Sequence, residues 1–297
     1  MSNLPENMVQ LGSRRNIMRE IREYGLIRAR EVGAENVLDF SLGNPSVPPP
    51  PQVNDTIRAI LDSPQGDSIH AYTSAQGDLA VRESLAASLT RRFGMHYGPD
   101  DLYITVGAAA GLCCCFRALA CPGDEFVLMA PYFTEYDIFV RGNGGIPVVV
   151  PPDYDTFQPD MKALEAAIGP KTKALVVNSP NNPSGAIYSA ETLTAMADLL
   201  RRKAAEYGHP IYLISDEPYR EIVFQGFTVP WIPDFYDDTL VCYSYSKSIS
   251  LPGERIGYVL VGEKVAEHKA VYAAICGAGR VPGYVNAPSL FQRVAAA

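Results

Sequence analysis

The chain has 297 residues, 47% hydrophobic and 20% charged, a profile that allows a large buried core and leaves no room for a low-complexity or disordered class. With 25 Lys and Arg against 33 Asp and Glu the net charge is −8, and the basic residues form no stripe that could track a phosphate backbone, so nucleic acid is not an expected partner. No apolar run approaches the roughly 20 residues a membrane helix needs; the polar opening has no signal-peptide pattern, so the expected compartment is the cytoplasm, with no membrane contact.

Residues 14–33 put Ile17, Ile21, Tyr24 and Arg28 at helical spacing and close on Gly33, which predicts an amphipathic helix packed as an arm on something larger. Residues 39–51 carry a Gly-Asn-Pro turn and four successive prolines at 48–51, a composition read as excluding helix and central strand. The expected organisation is therefore an arm and helix over 1–45 followed by one large domain over 46–297. Beyond residue 100, short apolar runs alternate with helical segments. The runs cover 102–106, 125–129, 146–150, 174–178, 211–215, 240–245 and 255–261, and several are continuous, as strands covered on both faces are. Between them Leu193, Met196, Ala197 and Leu200 form a helical stripe that ends at Gly208. The fold class is α/β, with a mostly parallel central sheet flanked by helices.

The six cysteines include no Cys-x-x-Cys pair, and the four histidines show no ligand spacing, so no metal is expected. In sheets of this kind ligands bind where strand ends meet the following loops. Four such loops carry notable chemistry. Thr105-Val106-Gly107-Ala108-Ala109-Ala110-Gly111 sets small residues before a helical stretch, where backbone N–H groups can approach an anion or simply make a tight turn. It matches neither a dinucleotide fingerprint nor a Walker A loop. Asp216, in Ser215-Asp216-Glu217-Pro218-Tyr219, puts a carboxylate at the mouth of the sheet, with capping of a helix from Glu217 or Pro218 as the structural alternative. Ser244-Tyr245-Ser246-Lys247 gathers a lysine and two hydroxyls, and Pro252 and Gly253 turn the chain so that Arg255 returns beside them. Strand alternation would put Ser244 and Ser246 on one face and Lys247 on the other, so the strand must end near Ser246 for all three to share a site. The fourth loop is Asn178-Ser179-Pro180-Asn181-Asn182-Pro183-Ser184-Gly185.

Taken in order, with Leu42-Gly43-Asn44-Pro45, Tyr72-Thr73-Ser74-Ala75-Gln76-Gly77 and Tyr284-Val285-Asn286-Ala287-Pro288, these segments resemble the class I aminotransferases of the aspartate aminotransferase superfamily, the fold-type I pyridoxal-phosphate enzymes. The resemblance runs over nearly the whole chain. It implies pyridoxal 5'-phosphate as cofactor, with Lys247 as the Schiff-base lysine and general base. Asp216 would pair with the pyridine nitrogen, and Tyr219 and Asn182 would hydrogen-bond the ring 3'-oxygen. Phe133, with Tyr132 beside it, would stack on the ring. The phosphate would fall to the backbone N–H groups of Ala108 and Ala109, to Ser244, Ser246 and Arg255, where relatives often have a hydroxyl at the Ala109 position. Tyr72 matches a tyrosine that reaches the neighbouring subunit's phosphate, implying a homodimer; Gly43 matches a glycine whose backbone lies near the substrate carboxylate, and Asn182 would also bind substrate.

The implied reaction is ping-pong transfer of an amino group between an amino acid and a 2-oxo acid. The same fold also serves C–S lyases. As a different class, it forms ligand-sensing domains of transcription regulators, although residues 1–45 are too short and too weakly basic for the DNA-binding part those carry. In this family the main substrate-carboxylate arginine belongs to a C-terminal small domain, and the chain stops at Ala297, so a C-terminal truncation is expected. No residue here is assigned that role. Arg280 lies near a position where some relatives recognise a side-chain carboxylate, with an ordinary surface arginine as the alternative.

Overall fold

The computed structural model describes residues 3–13, 17–41, 43–64 and 66–297, without the side chains of 17–19. Leu42 and the side chain of Ile17, on which expectations fell, lie outside these. The chain divides into two units, Met1–Pro48 and Pro49–Ala297.

The first unit holds α1 (Glu6–Ser13) and α2 (Ile17–Val32), and Gly33 ends α2 at φ 91°. The predicted helix is α2; α1, at eight residues, is too short for a periodic pattern to declare itself. On α2, Ile21 and Tyr24 are exposed, and Arg28 pairs with Glu31 at 2.8 Å. Gly43 is exposed in the extended stretch that follows.

The second unit opens with α3 (Pro51–Leu61), which corrects the reading of the proline run: Pro51 occupies the first helical turn, where a missing N–H costs nothing and a preset φ helps. Next comes α4 (Leu79–Phe93), capped by the Asp78 carboxylate, which accepts from the N–H groups of Ala80 and Val81 at 3.0 and 3.4 Å. The alternating part then runs β1 (Leu102–Thr105), α5 (Ala108–Leu119), β2 (Glu125–Met129), α6 (Glu135–Gly142), β3 (Ile146–Val150), α7 (Met161–Ala167), β4 (Thr172–Asn178), α8 (Ala190–Tyr207) and β5 (Tyr212–Asp216). It continues with β6 (Thr239–Ser244), the short α9 (Tyr245–Ser248), β7 (Gly257–Val261), α10 (His268–Arg280) and α11 (Ser289–Ala296).

The strand order is β1-β7-β6-β5-β4-β2-β3, and only β7 runs against its neighbours. Alternate residues feed opposite layers, as period 2 demands: Phe126 and Leu128 pack with Leu112, Phe116 and Ile275, whereas Val127 and Met129 pack with Leu193, Met196 and Leu200. A third cluster joins Leu85 and Leu89 of α4 to Leu102, Ile104 and Leu260. Apolar runs overstate strand length, because hydrophobicity outlasts backbone pairing: Val106 lies beyond β1, Tyr245 begins α9, and Arg255, at φ 51°, precedes β7. Among the described residues, no helix is long and apolar enough to cross a membrane, and no group of three metal-ligating side chains gathers.

Candidate active site

The register brings the loop residues to one edge of the sheet. Asn178 aligns with Asp216, and Ser244 and Thr105 both align with Gly257. The C-terminal ends of β1, β4, β5 and β6 therefore open onto a common mouth, where α5 and α9 begin.

Asp216 is the last residue of β5 and is buried. No helix starts after it; residues 218–221 form a turn, so the capping alternative does not apply. Tyr136, from α6, donates its O–H to Asp216 Oδ2 at 2.5 Å. Among the described residues, Oδ1 is buried with no hydrogen-bond partner. Burial pushes the carboxyl up to about 7, against the pull of the Tyr136 bond and with a push from the Glu217 charge. Tyr136 itself is driven well above the ordinary tyrosine value by burial, and then by the charge and hydrogen bond of Asp216.

Asn178, at the end of β4, organises the neighbouring loop. Its Nδ2 donates to Asp216 O at 2.8 Å, and its Oδ1 accepts the Asn182 N–H at 2.6 Å. Asn182 in turn donates from Nδ2 to the Tyr219 hydroxyl at 3.1 Å. The turn carrying Tyr219 is fixed by a buried pair of Arg220 with Glu217, and Arg220 also donates to Val229 O at 3.0 Å and Pro230 O at 2.9 Å. Burial and the Asp216 charge raise the Tyr219 phenol above its ordinary value, against the Asn182 hydrogen bond.

On the other side of Asp216, β6 ends at Ser244, two residues before the required limit, and the chain turns into α9. Strand alternation no longer applies there. The Ser244 and Ser246 hydroxyls lie 2.7 Å apart, and Lys247 follows one residue later, half-buried. Burial first, and then the Arg255 charge, lower the Lys247 ammonium from its ordinary value. The Arg255 guanidinium reaches across to Gly107, the residue that precedes α5 with φ 91°. A Cβ on Gly107 would stand 2.9 Å from Arg255 Nη2, so glycine alone leaves the guanidinium room beside the N–H groups of Ala108 and Ala109 that begin α5.

Phe133 is 37% exposed and meets Tyr136 edge-on at 5.8 Å, while Tyr132 stacks parallel to the same ring at 6.1 Å. Phe133 and Tyr132 are thus both one contact removed from Asp216. Tyr72 is 96% exposed. Gly43 belongs to the first unit, and Arg280 is exposed at the end of α10.

A pyridoxal phosphate fits these residues chemically. The buried, unpartnered Asp216 oxygen can receive a ring N–H, and the cationic, Cβ-free cradle of Arg255, Gly107 and the α5 N-terminus suits a phosphate dianion. Tyr136 and Asn178 were not anticipated from the sequence. Asn178 left a faint signal, a polar residue closing an apolar run, whereas nothing in the sequence ties Tyr136 to a carboxylate 80 residues away.

Residues 35–297 match the family described as aminotransferase class I and II, and the chain belongs to that family. Its members use pyridoxal 5'-phosphate. Among relatives, the chain is 35% identical over 235 residues to a probable aspartate/prephenate aminotransferase of Thermus aquaticus, covering 78% of this chain and 58% of that protein. It is 31% identical over 264 residues to the aspartate aminotransferase of Thermotoga maritima, covering 84% and 67%. Among solved structures, an aminotransferase from Eubacterium rectale superposes with TM-score 0.97 at 53% identity, over 100% of this chain and 75% of that one. The Thermus thermophilus aspartate aminotransferase with maleate gives 0.82 at 29% identity, over 100% and 72%. The chain spans about three-fifths of the length of the first curated relatives it matches.

Proposed function

We propose that this chain is the cofactor-binding body of a pyridoxal-phosphate-dependent aminotransferase that moves an amino group from an amino acid to a 2-oxo acid by a ping-pong route. The observation that carries the reading is the pairing at one sheet edge of a buried carboxylate with an unpartnered oxygen, Asp216, and a lysine of lowered basicity, Lys247. When bound, the cofactor supplies the electron sink that lets a substrate Cα–H bond ionise.

The protein groups divide the remaining work. Lys247 would hold the cofactor through Nζ and would hold or move the substrate Cα proton at the same atom; a lowered basicity keeps that amine neutral closer to neutral pH. Asp216 accepts the ring N–H, held by Tyr136. Tyr219 and Asn182, already bonded to each other, orient the ring oxygen. Ala108, Ala109, Ser244, Ser246 and Arg255 hold the phosphate, and Phe133 covers a ring face. Asn182 would also contact the substrate.

Two copies form the working unit, with Tyr72 of each directed at the phosphate site of the other; a phenol 96% exposed on its own chain supports this. A cytoplasmic location suits the six free thiols. Mixing a Tyr72→Phe chain with a Lys247→Ala chain tests the exchange, because the surviving lysine site then receives an intact Tyr72 and regains wild-type cofactor retention.

The reaction is tested by adding amino acids, aspartate first because relatives carry that name, to the cofactor-loaded chain without an acceptor. About one equivalent of 2-oxo acid per cofactor, with further product only after a 2-oxo acid is added, is the expected result. Repeated release of pyruvate and ammonia from a cysteine-like donor without acceptor would instead mark an eliminating enzyme and overturn the assignment.

A further inference from the structure

The segment that carries Tyr72 is held from far away in the chain, by side chains outside the cofactor site. Asn286 Nδ2 donates to both Thr73 O and Ser74 O, at 2.8 and 2.9 Å. Gln292, fully buried on α11, donates from Nε2 to Thr73 Oγ1 at 3.2 Å and to Ala287 O at 2.8 Å, while its Oε1 accepts the Asp78 N–H at 2.8 Å. The Ile104 N–H ties the same segment to β1 through Gln76 O at 2.9 Å. Gly77, at φ 106°, closes the turn where a Cβ would come 2.8 Å from the Ile104 Cβ and 3.2 Å from Gln292 Oε1.

The residue that aims Asn286 is itself under backbone strain. Val285 sits at φ 54°, in a three-residue turn closed by the Asn286 N–H on Tyr284 O at 2.6 Å. The left-handed region is unfavourable for a β-branched side chain, and such outliers persist only where surrounding contacts over-determine them. Two amides and a strained turn are thus committed to a segment whose tip, Tyr72, has almost no contact with its own chain. Rigidity behind so exposed a tip lowers the ordering cost when a second copy receives the phenol.

We infer that Asn286 and Gln292 are positioning residues that lock residues 71–77 in the shape presenting Tyr72 to a second copy of this chain, with Val285 setting the direction of the Asn286 amide. This rests on the proposed cross-subunit role of Tyr72. Asn286→Asp keeps the size of the side chain but removes both N–H donors and faces the Thr73 and Ser74 carbonyls with an acceptor.

The test compares wild type, Tyr72→Phe, Asn286→Asp and the double variant, each loaded with pyridoxal 5'-phosphate, by the rate of cofactor loss after dilution and by hydrogen exchange of the 71–77 amides. Tyr72→Phe is expected to lose cofactor about tenfold faster, as for a deleted hydrogen bond to a charged group. Asn286→Asp should speed both loss and exchange, and the double variant should lose cofactor no faster than Tyr72→Phe alone. If the two effects multiply, Asn286 acts by another route and the inference is overturned while the role of Tyr72 stands. If Tyr72→Phe retains cofactor like wild type, the cross-subunit reading is wrong and the inference goes with it. Should Asn286→Asp not fold, Gln292→Met, which removes the Thr73 and Asp78 bonds at similar volume, makes the same comparison.

Discussion

Replacing Asp216 by Asn should make the cofactor-free protein more stable at neutral and alkaline pH while weakening its hold on the cofactor. Burial pushes the Asp216 carboxyl from 3.8 to about 7, with the Tyr136 bond opposing and the Glu217 charge adding to the shift. Below pH 3.8 the folded and unfolded chains both hold this proton; between there and about 7 only the folded chain keeps it. Stability contributed by the group is therefore complete in acid and is lost as the pH rises through the folded value. The loss is at most about 4 to 5 kcal/mol, from about 1.4 kcal/mol per pKa unit. Asn has the same shape, keeps an oxygen to accept the Tyr136 O–H and carries no charge to desolvate. The assay is urea unfolding of both cofactor-free proteins from pH 4 to pH 8. Groups such as Asp101 and Asp238, also raised by burial, titrate alike in both proteins and cancel in the difference. The stability gap should widen in favour of Asp216→Asn across this range, and pyridoxal 5'-phosphate should stabilise the wild type more than the variant. A gap that stays constant within about 1 kcal/mol, near the error of the extrapolation, would refute the argument that burial of an unpaired carboxylate dominates here.

Tyr136→Phe removes the bond that holds the Asp216 carboxyl down, so the pH at which the same gap stops widening should move above 7; an unmoved plateau would show that the phenol does not set this titration. Gly107→Ala puts a Cβ at φ 91° and 2.9 Å from Arg255 Nη2, and should weaken pyridoxal 5'-phosphate about tenfold or more by loss of a charge-assisted contact, while pyridoxal without its phosphate binds as before. Equal weakening of both would point to general distortion. Lys247, its ammonium held below the ordinary 10.5 by burial and by Arg255, should react with the cofactor aldehyde at lower pH than a free lysine does, as stopped-flow absorbance can record.

Much of the site was legible because its residues close apolar runs. Asp216 and Ser244 end strands, and Asn182 and Lys247 follow strands, whose composition announces them, and parallel strands bring their ends to one edge. The constraint that the chain leave its strand before Lys247 was likewise drawn from alternation, and α9 meets it two residues earlier than required. What stayed hidden depends on contacts across long sequence separations. Tyr136 looks like any core tyrosine until α6 packs it against β5. Asn286 and Gln292 lie more than 200 residues from the segment they hold, and an amide carries no local sign of its partner. The proline run misled for a local reason, since a proline that forbids a helix interior favours a helix start.

The central claim is that Lys247 carries the cofactor. Loading the chain with pyridoxal 5'-phosphate, reducing with borohydride and mapping the peptides by mass should place the pyridoxyl group on Lys247, at about one per chain, with no such adduct in Lys247→Ala. A modification spread over surface lysines, or retained in Lys247→Ala, would contradict it.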